Sequence, residues 1–557
     1  MKNLYKSSLA KATGISLLVC LTLIFACKKP TEGINVLVSS NSLFPAPTVL
    51  KFTNADSTSG NKPGNFHLTI LGSGAKYVQT TSGGVDFTVL DGILALSLTK
   101  DAQPSVTNPI SFTVNAILPG FAPIVQNIVI TKNELSIFNI RALEYNRPAN
   151  GTTVAQNVLG LSTGVIAGNY AISTPLRSTM SEQATLSFQG GTELRDGNGK
   201  LIPAVNLELS IAQFGTQSQS SLQALPGGTV TAGINKADGS ILSGSVNFVT
   251  AGLLQITLKA DAVPVKQFSK PVNITMQINS KMTNFATGSP VKAGDIVPYW
   301  SMDETTGRWT NEGNTVLKSD ANGKLYASIQ ISHLSCWSVG WSWGATGSYG
   351  SCGSSLNVII KTSDPNFKGG SYNVSLQTLD GTYLGGAQGI TIYNGANITL
   401  SDVPNVPHAK IVVSGGPSNI TVQSSSFEPC SAGSISVEVP VSTDNTVTVA
   451  VDVNGLCNGK SVTILPSTTF EMYQQTGSTF TDVGTIQLVN GKGSTGMQLG
   501  TNYYLTTTYN GVFYKCDPFS VSKADFPINS AGFNVAAKYD AATNTLTFTG
   551  TIPINCN

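Results

Sequence analysis

Val85-Asp86-Phe87-Thr88-Val89-Leu90-Asp91-Gly92-Ile93-Leu94-Ala95-Leu96-Ser97-Leu98 is the stretch on which the fold turns. Apolar residues alternate with polar or small ones on both sides of Asp91-Gly92. That period of two lines one face of a β-strand, and Asp-Gly tolerates the positive φ that a tight type I′ hairpin requires. The stretch therefore predicts two strands joined by a hairpin turn. The same grammar recurs along the chain. Asp196-Gly197-Asn198-Gly199 precedes Val205, Leu207, Leu209 and Ile211, which alternate with polar residues, and Leu546-Thr547-Phe548-Thr549 reads as another half-buried strand. No helical period persists beyond two or three turns. Short strands at regular spacing, separated by Gly, Asn, Asp and Pro, predict an all-β chain of several β-sandwich domains in tandem.

Composition fits that architecture. Of 557 residues 41% are hydrophobic, enough for packed cores, and only 11% are charged. The usual charged fraction is about 25%. Ser, Thr, Asn and Gly take the place of charge and suit exposed sheet surfaces. The net charge is +2 and no basic patch stands out, so a nucleic-acid partner has no support. The acids are scattered without a recognisable glycosidase pair, and there is no phosphate-binding glycine loop and no Gly-x-Ser-x-Gly elbow. The sequence points away from an enzyme and implies no cofactor.

The chain opens with Lys2, Lys6 and Lys11, followed by a largely apolar run over residues 12–26. That run is shorter than the ~20 residues a spanning helix needs, and reads as a signal peptide. It ends in Ile24-Phe25-Ala26-Cys27, which resembles the lipobox of bacterial lipoproteins. The resemblance implies cleavage after residue 26, a diacylglyceryl thioether on Cys27, a tether over residues 27–34, and membrane lipid as a partner. The signal is similar to those of Bacteroidota lipoproteins, which implies the outer membrane. In that group acidic residues after the cysteine favour surface display. Lys28 and Lys29 stand there instead, which leaves the periplasmic face and the cell surface both open.

Downstream, the strand pattern divides into an N-terminal sandwich over 35–133, a linker over 134–164, a β-domain over 165–345, and two sandwiches over 352–432 and 433–557. Six cysteines follow Cys27: Cys336, Cys352, Cys430, Cys457, Cys516 and Cys556. Six allow 15 pairings. With three histidines (His67, His333 and His408) and no Cys-x-x-Cys, they do not form a metal site. The last two sandwiches share a plan, with a cysteine near an early strand and a second one later. Their layout resembles the carboxypeptidase regulatory-like sandwiches that occur in tandem in bacterial lipoproteins. That resemblance implies a spacer or binding module without peptidase ligands. On the shared plan we expect Cys352–Cys430 and Cys457–Cys516, with Cys336 and Cys556 left to pair or stay free.

Residues 295–340 carry Trp300, Trp309, Glu312-Gly313 and then His333-Leu334-Ser335. These resemble the GPS motif that ends the GAIN domain of adhesion receptors, and the related ZU-type domains. The resemblance implies a single self-cleavage of the Leu334–Ser335 bond, with His333 taking the proton of the Ser335 hydroxyl so that its oxygen attacks the Leu334 carbonyl. The cysteine that precedes the histidine in receptor motifs is missing, and Cys336 falls after the serine instead.

Trp337, Trp341 and Trp343 cluster just beyond. Exposed, they would stack on a glycan or on a protein partner; buried, they would plug the junction of the second and third domains. Asp56-Ser57-Thr58 is similar to the short O-glycosylation sequon of Bacteroidota. Together these readings predict a lipid-anchored envelope protein with a structural, adhesive or ligand-display role. The alternatives are a self-cleaving protein and a carbohydrate-binding accessory protein.

Overall fold

A computed structural model describes residues 36–39 and 44–554, apart from 106–107, 232, 243–245, 305, 345–348, 366, 368, 401–402, 417–419, 442–444, 460–461 and 531–533. Cys27, the signal peptide and Cys556 lie outside the described residues. The chain is all-β, in several packed pairs of sheets. Its two described α-helices, Gln219–Leu222 and Pro429–Ala432, are one turn each, and Ala75–Tyr77 forms a single 3-10 turn.

The first unit spans residues 48–142. One sheet holds Ser136–Ala142, Thr48–Asn54, Ile93–Leu98 and Val78–Thr80, and the other holds Thr69–Leu71, Ile110–Ala116 and Ile124–Ile130. Leu50, Phe52, Leu94, Leu96, Phe112, Val114 and Ile128 fill the space between them. The Asp-Gly turn has the expected backbone, with φ of 48° at Asp91 and 79° at Gly92. A Cβ on Gly92 would lie 2.6 Å from the Phe52 carbonyl oxygen, so glycine is needed for close approach as well as for φ. The hairpin itself is shorter than its sequence suggests. Only Leu90 and Ile93 bridge across the turn; Thr88–Val89 pairs with Phe66–His67, and Ile93–Leu98 pairs with Thr48–Asn54 and Val78–Thr80.

The second unit, residues 152–344, packs an eleven-stranded sheet on a seven-stranded one. Leu207, Leu209 and Ile211 point into its core as their alternation predicts, whereas Val205 lies just before the strand and is exposed. The third unit, residues 356–439, sets Leu356–Thr362 with its neighbours Asn397–Leu400 and Ser434–Val439 against a four-stranded sheet. The fourth, residues 446–554, is built on the long strand Thr446–Cys457 and the facing strands Thr468–Thr476, Thr479–Leu488 and Asn502–Tyr509. In the first, third and fourth units the opening strand pairs in parallel with the closing strand. Each sandwich is thus closed on itself by its own two ends.

The observed strands move several expected boundaries. Ser136–Ala142, placed by sequence in a linker over 134–164, is the closing strand of the first sandwich, and its Ile140 and Ala142 are buried there. Thr152–Gly160 belongs to the second unit, paired with Asn206–Phe214. Ser434–Val439 belongs to the third unit rather than to 433–557. Val36–Ser39 is not part of the N-terminal sandwich at all: it adds in parallel to Val462–Leu465, at the edge of the fourth unit's sheet. Edge strands offer unpaired backbone groups to any segment that can reach them, whatever its position in the chain.

The four units close into a ring. Asn127 donates to the Gly307 carbonyl at 2.5 Å and Gln255 to the Pro123 carbonyl at 2.8 Å, joining the first unit to the second. One continuous core runs from the second unit into the third, from Trp343 and Phe285 on to Leu356 and Val358. Gln487 donates to the Gly389 carbonyl at 3.1 Å, between the fourth unit and the third. The fourth returns to the first, where the Asn510 amide donates to the Thr81 hydroxyl at 3.2 Å.

Candidate functional site

Leu334 and Ser335 are the two-residue crossing between the layers of the second unit. Leu325–His333 lies in the seven-stranded sheet and Cys336–Gly344 in the eleven-stranded one. The chain must turn sharply here, and backbone hydrogen bonds hold it: the Leu334 amide donates to the Lys266 carbonyl at 2.9 Å. Ser335 is buried. Its hydroxyl donates to the Met302 carbonyl at 2.5 Å and accepts from the Met302 amide at 2.9 Å. His333 points elsewhere. Its Nε2 is 3.9 Å from the Glu312 carboxylate, and its ring lies 5.0 Å from that of Trp337. The motif residues are neighbours, but among the described residues no hydrogen bond joins His333 to Ser335. The serine proton is held by a main-chain carbonyl, so the arrangement pins the crossing in place and leaves the imidazole without the hydroxyl it would have to activate.

The tryptophans are core residues. Trp337, Trp341 and Trp343 have 1%, 0% and 2% of their surface exposed, which corrects the reading of them as a stacking surface for a glycan or partner. The cause is the strand Cys336–Gly344. Its odd-numbered residues face the sandwich interior, where Trp343 stacks on Phe285 at 6.4 Å. Cys336, on the other face, packs with Trp300 and Trp309 against Ala122 and Val125 of the first unit. Period two with both faces covered leaves no ring for solvent.

Cys352 and Cys430 form a disulfide. It lies just ahead of the opening and closing strands of the third unit and ties that parallel pair together. The expected Cys457–Cys516 bond is not formed. Cys516 is free and buried, its sulfur accepting from the Leu505 amide at 3.1 Å, while Cys457 is disulfide-bonded. Cys457 ends the opening strand of the fourth unit, level with Ile554 of the closing strand, and Cys516 sits on a different sheet. Burial pushes the Cys516 thiol up to about 11 and the free Cys336 thiol well above its ordinary value.

A buried charge cluster lies where the sequence pointed to nothing, at the seam between the first and fourth units. Lys51 alternates with core residues Leu50 and Phe52, so it points out of its own sandwich. The fourth unit covers it, leaving 5% exposed. Its ammonium contacts Glu471 and lies 2.9 Å from Asp482. Burial works against the charge on Lys51, but the two carboxylates hold its pKa above the ordinary value. Burial likewise opposes ionisation of Asp482, yet Lys51, the Gly484 amide and Arg141 hold that carboxyl below its usual range. Glu471 has the drier position and fewer donors, and burial raises it to about 7. One ammonium between two carboxylates thus favours Asp482 as the charged partner. Around this cluster, Lys62 of the first unit lies 4.1 Å above the Tyr473 ring, and Tyr473 stacks on Tyr504 at 4.6 Å. The only sequence signal was a charged residue inside a strand of a charge-poor chain.

Among the described residues no group of three or more His, Cys, Asp and Glu is placed to hold a metal ion, and no helix is long and apolar enough to cross a membrane. In Asp56-Ser57-Thr58, the Asp56 carboxylate accepts from the Thr58 hydroxyl at 2.7 Å and from Arg147 at 2.7 Å, forming a compact turn.

No family model matches the chain, and no curated protein matches it. Solved structures with similarity include a streptococcal ancillary pilin, at 10% identity over 48% of this chain and 95% of that one, with a TM-score of 0.15. The Bacillus anthracis TIE protein matches at 10% identity over 73% of this chain and 76% of its own, with a TM-score of 0.13. BcpA, the major pilin subunit of Bacillus cereus, matches at 9% identity over 71% and 99%, with a TM-score of 0.12. Overlap this loose assigns no activity, ligand or partner, and the all-β reading stands on this chain's own strands.

Proposed function

We propose that the chain is a lipid-anchored protein of the cell envelope, tethered to the outer membrane through Cys27, with a structural, adhesive or ligand-display role and no catalytic turnover. The observation that carries the structural part is the closure of the four sandwiches, above all the buried Lys51–Asp482 contact between the first and fourth units. A chain of loosely joined domains bends at its linkers. A ring with buried contacts at each joint holds its surfaces in fixed relation, which suits a scaffold that presents them. The anchor part is supported by Ile24-Phe25-Ala26-Cys27 after a basic and then apolar leader. Two or more acyl chains on one cysteine act together to give stable membrane attachment.

Fractionation of cells expressing the wild-type chain and Cys27→Ala tests this reading. Wild type should stay with outer-membrane lipid. The variant should appear as soluble protein or as uncut precursor. Recovery of the variant with outer-membrane lipid in the same processed form and amount as wild type would refute the anchor. Digestion of intact cells by added protease then reports which face the protein occupies.

A further inference from the structure

The second unit has an open groove of about 370 Å³ at the edge of its seven-stranded sheet, beside the strand Tyr170–Ser173. Tyr170 borders it and is fixed at both ends. Behind the ring lies the buried Phe188, with centroids 6.4 Å apart, and Phe268 backs Phe188 at 6.0 Å. The Tyr170 hydroxyl accepts from Asn157 at 2.7 Å, a residue of the opposite sheet. Such a ring is a preorganised apolar platform with little rotamer freedom left to lose.

Besides Tyr170, Phe188 and Ala171, the lining is polar and uncharged: Asn169, Ser187, Gln189 and Asn273. The Asn169 carbonyl oxygen accepts from the Gly190 amide at 2.9 Å, which leaves its NH₂ group to donate. Among the described residues, the side chains of Ser187, Gln189 and Asn273 have no hydrogen-bond partner. Amides and a hydroxyl each offer a donor and an acceptor at one point. The nearby Lys270 ammonium is already engaged, donating to the Gly190 carbonyl at 2.6 Å.

We propose that this groove binds a neutral saccharide chain, with one sugar face against Tyr170 and its hydroxyls bonded by Asn169, Gln189 and Asn273. Vicinal sugar hydroxyls are paired donors and acceptors that such a set matches, while the carbon-bound face of a pyranose is apolar enough to lie on an aromatic ring. A lining without free charge offers nothing to select a phosphate, a carboxylate or an ammonium. The open shape fits the middle of a polymer running across the surface. This inference rests on the ligand-display reading and places it away from the buried tryptophans.

The test is calorimetric titration of the purified full chain in detergent with maltohexaose, cellohexaose, xylohexaose and mannohexaose. At least one should bind. Tyr170→Ala should weaken that binding about tenfold or more, and Asn273→Ala several-fold. Tyr170→Phe keeps the ring but loses the Asn157 bond and should weaken it less than Tyr170→Ala. Asn273 is half-buried at the surface, so its variant keeps the test alive if Tyr170→Ala fails to fold. Absence of binding to all these sugars by folded wild type would overturn the proposal, as would binding unchanged in both alanine variants. Anchoring is read separately by fractionation: binding retained with anchoring refuted removes the envelope reading and leaves the groove.

Discussion

The Lys51 ammonium of the first sandwich lies 2.9 Å from the Asp482 carboxylate of the last, and both belong to strands whose own sandwich cores they do not enter. The pair converts two outward faces into one interior. Removing one member of a buried pair leaves its partner uncompensated, at a cost of about 3–5 kcal/mol. Lys51→Met should therefore destabilise the chain by an amount of that order, with Glu471 and Asp482 left facing each other. The loss should fall first on the contact between the outer units. Limited proteolysis and small-angle scattering would detect an opened ring, and an unchanged radius of gyration with unchanged protection would refute the seam as its closure.

Glu471 should make that seam sensitive to pH. Its folded value of about 7 lies above the ordinary 4.5, so the folded state holds a proton that the unfolded chain has lost. Its contribution is complete below about 4.5 and declines as pH rises toward about 7, by up to about 3 kcal/mol. Asp482 acts in the opposite direction: its depressed value gives stability that is lost only as pH falls below the ordinary carboxyl range. Chemical unfolding of wild type and Glu471→Gln between pH 4.5 and 7.5 isolates the first effect. The wild type should lose stability relative to the variant as pH rises, and parallel curves would refute the assignment.

Disulfide mapping should find Cys352 joined to Cys430, and Cys457 joined to Cys556, which follows two residues after the Ile554 that stands level with it. Cys516 and Cys336 should resist alkylation at pH 8 in the native chain and react after denaturation, since both thiols are buried and their ionisation is suppressed. Replacing Cys352 and Cys430 together by alanine should cost about 2–4 kcal/mol. Recovery of a Cys457–Cys516 peptide would contradict the fold of the last unit.

Ser335 should prove a structural residue. Ser335→Ala leaves the buried Met302 amide and carbonyl without their hydroxyl partner, a loss of about 1–3 kcal/mol. The wild-type chain should remain a single polypeptide during days at neutral pH. Two fragments on a denaturing gel, the second starting at Ser335, would show that the bond is cut after all.

Trp341→Ala should cost about 3–5 kcal/mol, the range for truncating a fully buried aromatic residue. A near-neutral change in melting temperature would return Trp341 to the surface and revive the stacking role. Gly340→Ala should be comparably damaging, because its Cβ would lie 2.2 Å from the Val249 carbonyl oxygen on the neighbouring strand.

Local chemistry was legible in the sequence, because it depends on residues close together in the chain. The period of two in Ile93–Leu98 and Asn206–Phe214, and the left-handed backbone at Asp91-Gly92, follow from side-chain alternation and from the steric freedom of Gly. Strand spacing predicted an all-β chain of sandwiches, but not the pairing of Ser136–Ala142 and Ser434–Val439, closing strands whose partners lie at the far end of each unit. Tertiary structure decided which faces became interior. Alternation marks Lys51 and Trp337 as residues on a strand face, but not whether another sheet covers that face. The fourth unit does so for Lys51, which is why a charge that reads as solvated lies between two carboxylates, and the sandwich interior does so for Trp337. The partners of the edge at Val462–Leu465 and of the Ser335 hydroxyl were hidden for the same reason. Each is set by contacts between segments far apart in the chain, and burial and pairing are properties of the assembled sheets rather than of any window of sequence.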